Sequence, residues 1–146
     1  MIDFDFYNSV IPKKGSLLLS NPELPDRIFH RSVILLCEHD KNGTLGFILN
    51  KKSMTQVSEA LESLDEIDEK LHYGGPVDMN GLYIIHRANI PNRINVLNGI
   101  FYGGDVNSLS SLFNTKQIDS NDIKFFLGYS SWIPNQLTFE LKRRSW

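Results

Sequence analysis

Apolar residues in this chain fall into short runs separated by glycine, proline and asparagine, and the period within each run predicts the element it forms. Residues 31–51, RSVILLCEHDKNGTLGFILNK, hold two such runs: 33–37 is unbroken apolar, Asp40-Lys41-Asn42-Gly43 interrupts, and 44–49 resumes in β-branched and large side chains. Asn-Gly between apolar runs is a strong turn signal because both residues tolerate positive φ, so the stretch predicts a long β-hairpin. A run without polar alternation is buried on both faces, which places this hairpin centrally in its sheet.

The remaining runs are shorter. Residues 1–14 alternate at Ile2, Phe4 and Phe6 before Pro12-Lys13-Lys14-Gly15 and predict an edge strand or a tail. Residues 16–20 read as a buried strand, and Pro22 and Pro25 make the segment through Asp26 a loop. Ser53 and Gln56 have capping-box spacing ahead of Val57, Leu61 and Leu64, predicting an amphipathic helix that the acidic stretch 65–69 ends near Leu64. Gly74-Gly75-Pro76 and Asn80-Gly81 predict turns, the second leading into a strand at 82–85. Residues 100–102 form a strand, and Asp105 caps a helix with Val106, Leu109, Leu112 and Phe113 on one face. Residues 123–129 are the last strand. Beyond it Leu137 and Leu141 suit a helix that begins at Pro134, a residue favoured at the first helical position.

Length and charge narrow the class. A chain of 146 residues without repeats or linkers makes one domain large enough for its own core. One cysteine and a start with an acidic flank and no long apolar core indicate a reduced, cytoplasmic protein without a secretion signal. No apolar run approaches the length needed to cross a bilayer. A net charge of −2 argues against a dominant nucleic-acid-binding surface.

Candidate chemistry is sparse. Cys37 and His39, two apart on one strand, are expected on the same face, but no further ligand stands at metal-site spacing, so neither metal nor cofactor is expected and Cys37 reads as a core residue. His30, His72 and His86 are scattered. Gly103-Gly104-Asp105 precedes a helix, where backbone N–H groups can hold anions, but an Asp105 cap occupies those donors. Gly128-Tyr129-Ser130-Ser131-Trp132 has the position of a nucleophile elbow, yet Trp132 replaces the second glycine. The acidic stretch and Lys142-Arg143-Arg144 read as solvated faces, and no helix-turn-helix spacing or aromatic nucleic-acid platform is present. Tyr129, Trp132 and Gln136 combine aromatic and amide groups near a strand end, a composition suited to ligand or protein contact.

Taken in order, Gly15-Ser16-Leu17-Leu18-Leu19-Ser20, Phe29-His30-Arg31-Ser32-Val33, Glu38-His39, Gly43, Gly46, Leu49-Asn50, Gly74-Gly75-Pro76-Val77, His86, Gly128-Tyr129, Trp132, Gln136-Leu137, Glu140-Leu141 and Trp146 resemble the bacterial AlgH/YqgE family, also called UPF0301. The resemblance covers residues 15–146 and implies an α+β fold, a curled mixed sheet or pseudo-barrel built on the central hairpin with flanking helices, in a bacterial cytoplasmic protein. It also implies a family domain that continues beyond Trp146, so that this chain lacks its end. Family members are often labelled transcriptional regulators, although no DNA-binding element is visible here. Lys52 departs from a common proline, and Ser131 and Asn135 from common glycines.

The expectation is therefore a non-enzymatic regulatory or binding protein. It acts through an unknown protein partner or through self-association of a C-terminal apolar patch near Trp132 and Trp146, without membrane or tight nucleic-acid binding. Contact residues are expected among Glu38, His39, Asn50, Gly74, Gly75, His86, Tyr129, Trp132 and Gln136. The rival is an enzyme or small-molecule binder with a pocket beside Gly74-Gly75 and His39 or His86 as base.

Overall fold

The strand at 123–132 joins the halves of the molecule, because it hydrogen-bonds to three others. A computed structural model describes residues 11–64 and 67–146. Its strands are β1 (Leu17–Leu19), β2 (Val33–Asp40), β3 (Gly43–Ile48), β4 (Lys52–Gln56), β5 (Lys70–Tyr73), β6 (Val77–His86), β7 (Ile94–Leu97), β8 (Ile100–Tyr102) and β9 (Ile123–Trp132). The helices are α1 (Val57–Ala60), α2 (Leu109–Asn114) and α3 (Gln136–Lys142). The sheet runs β1-β2-β3-β9-β6-β8-β7, and β5 joins β4 to β9. The β5–β9 pair is parallel and the others antiparallel, so the sheet is mixed.

On one edge β9 changes partner. Phe126 and Leu127 pair with β5, whereas Ser130 to Trp132 pair with β3. Gly128, at φ +71°, stands between, and a positive φ is accessible to glycine without strain. The sheet curls until its two ends share one cluster: Leu35 and Cys37 of β2 pack with Phe47 and Phe126, with Val96 of β7 and with Tyr102 of β8. A second cluster, including Ile84, Phe125, Leu71 and Val57, is covered by α1 and α2. The third lies under α3, where Leu137 meets Ile34, Leu36, Ile48 and Trp132. The α+β architecture with a curled sheet and flanking helices is as expected, and the hairpin is internal to the sheet.

Several local expectations change. The hairpin's positive φ belongs to Gly43 alone, at +130°, because Lys41 and Asn42 form the turn and Asp40 Oδ1 accepts from the Asn42 N–H at 2.7 Å. The helix expected from Ser53 begins only at Val57, where Gln56 and Glu59 make the capping box. Residues 52–56 are instead β4, whose partner β5 lies distant in sequence. Asn80-Gly81 is part of an irregular stretch inside β6, between Val77 and Leu82. The last strand continues to Trp132 because β3 extends its pairing. Helix α3 starts at Gln136 rather than Pro134, after Asn135 at φ +71°. Strand β7 was not anticipated. The first ten residues of the N-terminal expectation, and Asp65 and Glu66 of the acidic stretch, lie outside the described residues.

Candidate functional site

The hairpin contains a bulge that decides which side chains can act together. Leu36 pairs with Gly46 and Glu38 with Leu45, leaving Cys37 as the extra residue. Each ladder step places opposed residues on one face. Glu38 therefore joins Cys37 on the inner side, and His39, opposite Thr44, points to the α3 side. Cys37 and His39 are consequently on opposite faces, which corrects the same-face expectation. Burial, with the Glu38 charge second, pushes the Cys37 thiol up to about 12, so it stays protonated. Among the described residues no group of three His, Cys, Asp or Glu side chains is placed to hold a metal. No described helix is long and apolar enough to cross a membrane.

Several contact candidates serve the fold instead. Asn50 clips the hairpin to the preceding loop, its Oδ1 accepting from the Val33 N–H at 3.0 Å and its Nδ2 donating to the Arg31 carbonyl at 2.9 Å. Gly74 and Gly75 press against the β9 backbone at Gly128 and Tyr129. A Cβ on Gly74 would lie 2.4 Å from the Gly128 carbonyl oxygen, and one on Gly75 2.2 Å from that of Tyr129. The Gly74 carbonyl accepts from the Ile48 N–H at 3.0 Å and the buried Ser130 hydroxyl at 3.1 Å, which also removes Ser130 as a nucleophile. His86 is 2% exposed. Its Nε2 lies 2.7 Å from the Gly103 carbonyl and Nδ1 accepts from the Ala88 N–H at 3.1 Å, so both nitrogens are engaged and the ring is the neutral Nε2–H tautomer. Burial lowers its pKa, with the Gly103 and Ala88 hydrogen bonds acting in opposition. Gln136 uses Oε1 on the Ile133 N–H at 3.0 Å, shaping the turn into α3.

What the structure does bring together is Glu38, Tyr129 and Trp132. They line an open groove of about 460 Å³ with Thr44, Ser131 and Ile133. Trp132 is mostly buried and donates from Nε1 to Glu140 Oε1 at 3.3 Å. Tyr129 stands edge-on to Tyr83, ring centroids 5.3 Å apart. Ile133 is 73% exposed at the rim, a signal that sequence reasoning missed. Asp40 adds a second carboxylate to Glu38, so the groove is acidic. At its edge His39 Nδ1 lies 2.6 Å from Thr44 Oγ1.

The AlgH-like family model matches residues 17–146. The chain belongs to this family, UPF0301. A UPF0301 protein of Chlorobaculum tepidum is 44% identical over 138 residues, covering 93% of this chain and 74% of the relative. One from Parabacteroides distasonis is 41% identical over 145 residues, covering 96% and 73%. Two solved structures share the fold. The crystal structure of protein DIP2367 from Corynebacterium diphtheriae gives a TM-score of 0.80 at 24% identity, over 100% of this chain and 81% of that one. The solution structure of AlgH from Pseudomonas aeruginosa gives 0.72 at 23%, over 91% and 74%. The departures from the AlgH-like pattern fit locally. Asn135 adopts the left-handed backbone open to glycine, as asparagine can. Ser131 sits in regular strand opposite Leu45, and Lys52 faces His72 across β4 and β5.

Proposed function

We propose that this AlgH-like chain is a non-enzymatic regulatory protein of the bacterial cytoplasm, acting by docking a protein partner in the groove between the β2–β3 turn and the end of β9. The observation that supports it is the grouping of contact-making side chains there: Glu38 and Asp40 beside Tyr129 and the exposed Ile133. An aromatic and an apolar anchor flanked by carboxylates suit a partner segment that presents a cation next to an apolar side chain. The same carboxylates repel a phosphate backbone, so any regulator role runs through protein contact rather than direct DNA reading. A second copy of the chain is the other occupant, reached through the exposed C-terminal residues Ile133 and Phe139.

The second reading rests on the His39–Thr44 contact. A hydroxyl paired with an imidazole at 2.6 Å is the arrangement of an activated nucleophile. Affinity capture combined with metabolite profiling separates the two. Docking predicts a partner retained by the wild type and lost with Ile133→Asp or Tyr129→Ala, and a metabolite pool left unchanged. A metabolite consumed by the wild type but not by His39→Ala would establish the enzyme reading instead.

A further inference from the structure

At the opposite end of β9 from the groove, strand register assembles a cluster of basic side chains that the sequence keeps far apart. In the antiparallel β4–β5 pair Lys52 lies opposite His72 and Gln56 opposite Lys70. In the parallel β5–β9 pair His72 lies beside Phe126, so Lys70 and Lys124, each two residues earlier, are level with one another. Because side chains alternate along a strand, Lys52, Lys70, His72 and Lys124 all emerge on one face. They line a hollow of about 240 Å³, with Ser120 and Asn121 of the turn before β9 at its margin and Glu69 as its acidic member. Three ammonium groups and one imidazole therefore face a single carboxylate. Among the described residues none of these lysines is held in an ion pair.

His72 is the titratable ring of this cluster. It is only 7% exposed, and its Nδ1 is enclosed without a hydrogen-bond partner. A buried polar atom left unpaired costs on the order of 1–3 kcal/mol. Burial, then the charges of Lys124 and Lys52, lower the pKa of the ring. An anion in the hollow would reverse that electrostatic balance, offsetting the lysine charges and favouring imidazolium.

We propose that this hollow binds the phosphate group of a small phosphorylated ligand, held by Lys52, Lys70 and Lys124 with His72 beneath it. Lysine ammonium groups act as point-charge partners of phosphate, and several of them around one small volume match a dianion better than a single carboxylate. Size sets the ligand class. A hollow of about 240 Å³ admits a phosphate group but lies below the roughly 300–1,000 Å³ that encloses a whole drug-sized molecule. The rest of the ligand would extend over the adjoining depression of about 140 Å³, which shares Asn121, Ile123 and Lys124 and adds Arg87 and one carboxylate, Asp122. A duplex fits less well, because the basic face is one concave spot on a chain with net charge −2. The site is separate from the partner groove and does not depend on it.

NMR titration of the His72 ring tests the proposal, using inorganic phosphate, pyrophosphate and glycerol 3-phosphate at constant ionic strength, with chloride as control. Saturable shifts at His72 and a rise in its pKa are expected. Lys70→Gln/Lys124→Gln should weaken the apparent Kd at least tenfold while leaving the anion-free melting temperature unchanged. Tighter binding of glycerol 3-phosphate than of phosphate identifies an organic ligand, and the reverse identifies the free ion. Shifts matched by chloride, shifts unchanged in the double variant, or no saturable shift would overturn the proposal. Stronger competition by a short duplex than by pyrophosphate would overturn it in favour of nucleic acid.

Discussion

Gly75 shows how residues singled out for chemistry can belong to the chain crossing instead. Its φ of +155° and the Tyr129 carbonyl 2.2 Å from a would-be Cβ leave no room for any side chain. Gly75→Ala should cost about 3 kcal/mol or more, and Asn50→Ala about 1–2 kcal/mol through its two backbone contacts; urea denaturation measures both. The buried histidines set a pH dependence. His72 and His86 both have folded pKa values below their ordinary 6.5, in each case chiefly through burial. Between the folded and unfolded values the unfolded chain binds more protons, so stability is complete above the unfolded value and falls as pH drops through 6.5. Unfolding free energies measured from pH 8 to pH 5 should fall on acidification, with a shallower slope in His86→Gln. A flat profile would contradict the burial of the two rings.

At the scale of elements, α3 is the part most clearly fixed by packing. Leu137 is 2% exposed beneath it, and Trp146 folds back to stand edge-on to Phe29 and Trp132, at centroid distances of 5.5 and 5.8 Å, while its Nε1 donates to Glu140. The chain thus covers Trp132 and half-buries Trp146, which lines an apolar depression with Leu141 and the exposed Leu17 and Leu19, while Ile133 and Phe139 are exposed as well. Leu137→Ala should cost about 2–5 kcal/mol in thermal or chemical unfolding. The hairpin, the Asp105 cap, which closes the 3₁₀ turn Val106–Ser108 ahead of α2 rather than α2 itself, and the shared face of Leu137 and Leu141 were legible because local period and turn chemistry decide them. Strand β4 was not, since Ser53 and Gln56 mimic a helix start and the partner that overrides them is β5. The bulge at Cys37 was also invisible, and it alone moves His39 to the other face. Of the site, Tyr129 and Trp132 could be read from their aromatic character beside a turn. The Lys52–Lys70–His72–Lys124 cluster could not, although the Lys70-x-His72 spacing carried part of it.

At the scale of the whole molecule, charge and groove position govern partner choice. The net charge of −2 and the carboxylates of the groove predict weak duplex DNA binding that disappears as salt rises. Fluorescence anisotropy across a salt series checks this, and tight, sequence-selective binding in high salt would restore a literal DNA-binding regulator. The central claim is docking at the groove between the hairpin turn and the end of β9, and hydrogen exchange on the captured complex tests it most directly. Protection of residues 38–45 and 129–134 on partner binding, absent in Ile133→Asp, is the predicted result. Unchanged exchange in both segments while the partner stays bound would contradict it.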